Sequence, residues 1–198
     1  LEQDTFRRDF TINALYYCPT SGKIEDHNSG VKHIRDKKIV SIGDPSKRFS
    51  EDPVRSLRAI RFSNKLNFKI DSNIKDAIYK KGHLLSNISN ARIFDEFCKI
   101  FLSGLAEKNF RKLVSFGLNR YLIITNPNEN AFSDQLINEA LRNTDNRVKK
   151  NKSVTPGFLI AAMLWPELIK KSSKGGEINL RKFFRSMDQV LKLSLIHI

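Results

Sequence analysis

Cysteine is scarce: Cys18 and Cys98 are the two in 198 residues. Two cysteines cannot build a disulfide framework, and these have no metal-site spacing, so a reducing compartment fits. No apolar run approaches the roughly 20 residues needed to cross a bilayer as a helix. Internal repeats and low-complexity tracts are missing, and hydrophobic residues make up 40% of the chain, enough for a real core and too many for extended disorder. Methionine is missing from the first position, which is Leu1, so the lack of a leader carries no information about export. Negative charge is in short supply too. Asp and Glu total 21 against 35 Lys and Arg, a net charge of +14. Such a field attracts polyanions and makes nucleic acid or a nucleotide the expected partner. An anionic membrane fits less well, since no Lys-rich amphipathic helix carrying Trp stands out.

Hydrophobic spacing changes character near residue 45. Before it, Gln3–Tyr17 reads as a helix, "KIEDHNSG" as a strand around Ile24 running into a turn at Gly30, and "VKHIRDKKIVSIGDP" as a short helix, a strand near Ile39–Ile42 and a break at Gly43-Asp44-Pro45. After it, "EDPVRSLRAIRFSNKL", "SNIKDAIYKK", "ARIFDEFCKIFLSG", "EKNFRKLVSFG", "SDQLINEALRNT" and "PGFLIAAMLW" all have helical spacing, with Gly104 and Gly117 where helix C-terminal glycines belong.

Two segments carry polar chemistry that a plain core would not need. In "SEDPVRSLRAIRF", Pro53 suits a first helical turn, Val54, Leu57 and Ile60 form a packing stripe, and Arg55, Arg58 and Arg61 fall on neighbouring faces. Asp52 lies three residues before Arg55. Side by side, the carboxylate and guanidinium offer an acceptor and a donor fork, the chemistry that reads a base edge. The bland alternative is that Asp52 caps the helix and the arginines make surface pairs. In "RRDFTINAL", Asp9 and Asn13 share a face if the segment is helical, with Arg8 beside them. Buried polar groups need partners, so these three either satisfy one another or present donors and an acceptor to a nucleotide's phosphates, ribose and metal.

These motifs are similar to those of one family. "RRDFTINALYY", "GDPSKRFSEDPVRSLRAIRF" and "ISNARIFDEFCKIFLSG" strongly resemble the bacterial poly(A) polymerase and tRNA CCA-adding enzymes, class II nucleotidyltransferases of polymerase-β type. "LRNTDNRVKKNKSVTPGFLIAAMLW" looks like the helical body of the poly(A) polymerase branch. The resemblance runs from Leu1 to about Lys171. It implies a mostly α fold: the remnant of an α+β nucleotidyltransferase head over 1–45, a helical neck over 46–110 and an all-α, RNA-binding body over 111–192. It also implies the addition of AMP from ATP to RNA 3′ ends without a template, in mRNA processing and decay, in the bacterial cytoplasm. By carry-over, Arg8 binds the triphosphate, Asn13 supports the sugar, Asp9 is the candidate third carboxylate, Asp52 and Arg55 read the base, and Arg58 lies close by on the nucleotide. Arg147, Lys149, Lys150 and Lys152, in "RVKKNK", are expected to hold RNA phosphates; a solvated linker is the alternative for so short a charge run.

The chain also departs from the family pattern. An acidic residue is usual where His33 stands, after Asp26 and Gly30 in "DHNSGVKH". The Asp-x-Asp pair that holds Mg²⁺ upstream of the RRD segment does not occur in the chain. The resemblance therefore implies a fragment that starts after its catalytic strands and is inactive alone. "LSLIHI", Leu193–Ile198, looks like the translation of a sequencing-library adapter. Two other readings stay open: a CCA-adding enzyme, which uses the same base-reading pair, and a non-catalytic RNA-binding remnant.

Overall fold

The fold divides into two compact units, Leu1–Ser86 and Asn87–Ile198. The computed structural model describes residues 2–122, 131–174, 177–178, 183–187 and 189. The expected adapter segment, 193–198, lies outside the described residues.

The first unit begins with one helical turn, α1 (Glu2–Thr5). The helix expected over Gln3–Tyr17 stops there. Phe10 takes extended angles (φ −127°, ψ 149°) and forms an antiparallel bridge with Ser41. In that bridge the Thr11 amide donates to Val40 O (3.0 Å), and the Ile42 amide donates to Asp9 O (3.2 Å). A single 3₁₀ turn, Thr11–Asn13, follows. The chain then enters β1 (Leu15–Cys18), paired antiparallel with β2 (Lys23–Asp26). The helical spacing was a coincidence of a bridge, a turn and a strand in sequence. Pairing with a segment some thirty residues away overrides local propensity.

Next comes α2 (Gly30–Arg35), then β3 (Lys38–Ile39) and α3 (Pro45–Glu51), whose first turn is capped by Asp44 accepting from the Ser46 and Lys47 amides (both 3.2 Å). α4 (Val54–Leu66) buries Val54, Leu57 and Ile60, the expected stripe, and ends on Asn67 in the left-handed region (φ 55°). Its continuation, β4 (Lys69–Ile70), pairs parallel with β3, a strand that the spacing did not reveal. α5 (Ser72–Lys81), capped by Asp71, completes the unit and packs on α3. The core of this unit gathers Phe10, Ile39, Phe49, Leu57, Ile60 and Ile74.

The second unit is helical, with α6 (Asn90–Phe101), α7 (Ala106–Ser115), α8 (Asn119–Leu122), α9 (Ala131–Lys149) and α10 (Pro156–Ser172). A two-residue hairpin, β5 (Ser173–Lys174) and β6 (Glu177–Ile178), follows. Phe97, Phe101 and Phe110 form its aromatic centre, with ring centroids 4.7 and 6.4 Å apart along the series. Asp145 on α9 is nearly buried and caps α7, accepting from the Ala106 and Glu107 amides at 2.6 and 3.1 Å. Gly104 and Gly117 have φ of 79° and 67°, as expected of helix C-terminal glycines.

Candidate nucleotide site

Both polar motifs lie in the first unit, and the fold brings much of them together. The Phe10–Ser41 bridge fixes Asp9 at the edge of the core, 7% exposed. Its Oδ1 accepts from the Asn13 amide group (2.9 Å) and the Phe10 backbone N–H (2.8 Å). Its Oδ2 accepts from both Nε (2.7 Å) and Nη2 (2.6 Å) of Arg58, one turn inside α4. Asp9 and Asn13 thus meet without a helix, and they do satisfy one another. Arg58 is held in turn by the Phe62 ring, 5.3 Å from its guanidinium, and Phe62 packs edge-on to Phe10 at 6.1 Å.

Arg8 does not join that cluster. Its guanidinium donates to Asp4 Oδ2 (Nε 3.2 Å, Nη2 3.0 Å) and reaches the Tyr16 hydroxyl at 3.4 Å. Tyr16 also donates to Asp4. That hydroxyl, and after it Arg8, hold the Asp4 carboxyl below its ordinary value. Asp52 ends α3 and accepts from the Val54 amide at 3.2 Å, a local turn bond of the capping kind. Its other oxygen stands 3.8 Å from Arg55 Nε. This turn bond and the carboxylate–guanidinium pair coexist, and α4 itself starts from Pro53 with no side-chain cap.

One residue of this site is missed by sequence reasoning. Arg48, on α3, donates through Nη2 towards three successive carbonyls, Phe6 O (3.2 Å), Arg7 O (3.0 Å) and Arg8 O (2.9 Å), and through Nη1 to Glu51 (2.8 Å). Arg55 Nη2 reaches the same Arg7 carbonyl at 3.4 Å. Two guanidiniums thus clamp the backbone of the RRD turn. Helical spacing could not have found it, because Arg48 and Arg55 lie on two helices separated by the extended Asp52. Arg55 Nη1 and Arg48 Nε are buried with no hydrogen-bond acceptor among the described residues. Burial first, and the neighbouring Arg48 charge second, pull the Arg55 guanidinium below its usual value. A desolvated cation beside another cation, with an unfilled donor on each, favours an incoming polar acceptor or anion.

The "DHNSGVKH" segment is structural. Asp26 accepts from the amides of Asn28 (3.2 Å), Gly30 (2.8 Å) and Val31 (2.9 Å), which closes the turn into α2. Gly30 packs so closely that a Cβ there would meet Thr11 O at 2.4 Å. His33 Nδ1 bonds the Thr11 hydroxyl at 3.0 Å, so the imidazole ties α2 to the turn after Asp9.

The basic segment belongs to the second unit. Arg147 closes α9, donating through Nε and Nη2 to Ser153 O at 3.1 and 2.9 Å. Asn151 takes a left-handed φ of 53°, and Lys149, Lys150 and Lys152 are exposed around it.

Two family models match parts of the chain, and the second match crosses the boundary between the two units. Residues 1–40 match the family model described as "Poly A polymerase head domain", and residues 67–127 match "Probable RNA and SrmB- binding site of polymerase A". Poly(A) polymerase I of Haemophilus influenzae is 38% identical over 98% of this chain. The chain belongs to the bacterial poly(A) polymerase and CCA-adding enzyme family. It spans 45% of the length of that poly(A) polymerase. A CCA-adding enzyme of Anoxybacillus flavithermus is 40% identical over 62% of the chain, which covers 30% of that protein. In fold, the chain superposes on a solved complex of a CCA-adding enzyme with ATP at a TM-score of 0.69 and 22% identity, over 99% of this chain and 44% of that one. The mostly α reading of the fold therefore holds. No helix among the described residues is long and apolar enough to cross a membrane.

Proposed function

We propose that this chain is the nucleotide-selecting and RNA-holding part of a template-independent nucleotidyltransferase that adds AMP from ATP to RNA 3′ ends, in a bacterial cytoplasm. The observation that carries this reading is the pair of buried, unfilled donors on Arg48 and Arg55, set against the RRD turn and next to the Asp52 carboxylate. A purine edge supplies both an acceptor for such a donor and an exocyclic amine for the carboxylate. Asp52 and Arg55 read the adenine, and Arg8, exposed and paired with Asp4, takes the triphosphate. Asn13 and Arg58 are placed by Asp9. The third-carboxylate role that the resemblance implies for Asp9 requires one of its oxygens to be given up by its present donors.

Mg²⁺ is the ion that the family resemblance implies. The described residues do not fit it on their own: no group of three His, Cys, Asp or Glu side chains comes together among them, and both oxygens of Asp9 are engaged. The roles above do not pass through it. What this chain supplies is base selection, phosphate charge compensation and RNA contact through Arg147, Lys149, Lys150 and Lys152. Head, neck and body boundaries near residues 45 and 110 go with the same reading. The poly(A) rather than the CCA-adding branch is favoured because likeness to the poly(A) polymerase extends over nearly the whole chain, whereas likeness to the CCA-adding enzyme covers 62% of it.

The test is single-nucleotide extension by the complete protein on one RNA primer with each of the four triphosphates. Arg55→Ala and Asp52→Ala should each lower the preference for ATP over UTP and GTP by about one to two orders of magnitude, the worth of one bidentate base contact. Arg8→Ala should slow all four nucleotides by a similar factor. Equal slowing by Arg55→Ala and Asp52→Ala would leave Asp52 as a helix cap and defeat the base-reading assignment. Efficient CTP addition by the unaltered protein would move it to the CCA-adding branch.

A further inference from the structure

We propose that the groove between the end of α9 and the start of α10 is a subsite for one unpaired base of an RNA strand, with Phe158 as its stacking surface. The inference rests on the reading that the basic segment holds RNA, and adds to it a contact with the base. The groove is open to solvent, has a volume of about 270 Å³ and is lined by Asn143, Arg147, Ser153, Thr155 and Phe158, among others. It lies beyond residues 67–127, the stretch matched by the RNA-binding family model.

Three observations converge on an unpaired nucleotide. First, Phe158 is 50% exposed, on the first turn of α10, while Leu159, Ile160 and Met163 of that helix are buried. An aromatic ring left at a groove, next to a helix face that packs normally, offers its π-face to a flat ligand. Second, the Arg147 guanidinium is oriented in advance, since two of its nitrogens are spent on Ser153 O. A fixed guanidinium plane can stack on a base or pair with a phosphate at little cost in side-chain entropy. Third, charge complementarity selects the strand. No acidic residue occurs between Asp145 and Glu167, whereas Arg147, Lys149, Lys150 and Lys152 all fall there. Asn143 and Thr155 add polar groups at the rim for a base edge, and these are tolerant of which base enters.

The experiment measures binding of the chain to oligoadenylate and to an abasic phosphodiester oligomer of equal length, across a salt series. Phe158→Ala should weaken oligoadenylate binding by about 5- to 150-fold, the range for loss of one base–aromatic stack. It should leave abasic binding and the salt slope unchanged. Phe158→Trp should retain oligoadenylate affinity. Lys149→Ala with Lys150→Ala should instead lower the slope of log K against log salt by about 1.4 on both oligomers. If Phe158→Ala leaves oligoadenylate affinity intact, or costs equally on the abasic strand, the base subsite is refuted. If the lysine pair leaves the slope untouched while Phe158→Ala still separates the two oligomers, the subsite stands and the phosphate role of the basic segment falls. Preferential binding of an acidic peptide over oligoadenylate, lost in Phe158→Ala, would reassign the groove to a protein partner and overturn the proposal.

Discussion

Arg58→Ala offers the sharpest probe of the first unit. Asp9 is 7% exposed and takes two charge-assisted bonds from Arg58 on one oxygen. Breaking a buried ion pair by removing one partner costs about 3–5 kcal/mol, since a charge is stranded. Two features reduce that here. The Arg58 side chain is 32% exposed, so water can follow it out, and Asp9 keeps its bonds from Asn13 and the Phe10 amide. A loss of about 2–3 kcal/mol is expected, including a share for the Phe62 contact. Asp9→Asn in the Arg58→Ala background removes the stranded charge, so the double variant should be more stable than Arg58→Ala alone by about 1 kcal/mol. The lone tryptophan, Trp165, lies in the second unit, so the change is read at backbone amides of the first. Native-state hydrogen exchange at the Thr11 and Ile42 amides reports it directly, because both close the Phe10–Ser41 bridge beside Asp9. Their protection should fall by roughly 30- to 150-fold in Arg58→Ala. A fall of less than about threefold, or a double variant no better protected than the single, would show that this ion pair does not hold the RRD turn.

Gly30→Ala should cost about 2–3 kcal/mol in the first unit, because its Cβ would press on Thr11 O, a backbone atom that cannot swing away. Gly22→Ala, with open space around it but φ at 66°, should cost about 1 kcal/mol; equal costs in urea unfolding would remove the packing argument. Burial is the largest influence on Asp26 and raises its pKa, but the amides of Val31, Gly30 and Asn28, with His33, outweigh it and leave the value below the ordinary 3.8. The folded value is depressed, so its stabilisation is present above the unfolded value and is lost as pH falls through the folded one. The ¹⁵N shifts of Gly30 and Val31 should titrate with a midpoint below 3.8, and a midpoint at or above it would contradict the assignment.

Legibility in the sequence followed the range of the forces involved. The α4 stripe of Val54, Leu57 and Ile60 was readable because three residues in a row of turns all face one core. α5, α6, α7, α9 and α10 were readable for the same reason, whereas the single turn of α8 was too short to register. "RRDFTINAL" misled because its partner, Ser41, sits far along the chain, and helical spacing is silent about long-range pairing. β4 has only two residues, too few for any periodicity to register. α3 hid behind "GDPSKRF", where Pro45 reads equally as a break or a first helical turn. The meeting of Asp9 with Asn13 was foreseen, but its attachment to Arg58 was not. That bond depends on how α4 packs against the Phe10 bridge rather than on either local segment.

The grip of Arg48 on the RRD turn involves main-chain oxygens alone. A clamp of this kind is blind to which side chains the gripped residues carry. Positions 6, 7 and 8 can therefore be exchanged to retune what the turn offers a nucleotide while its shape persists. Proline is the exception at 7 and 8, since the amides of Arg7 and Arg8 donate to Asp4 O and Thr5 O. Arg48 itself has no such latitude. In a library built across this segment, diversity belongs on the turn and constancy on the helix that holds it.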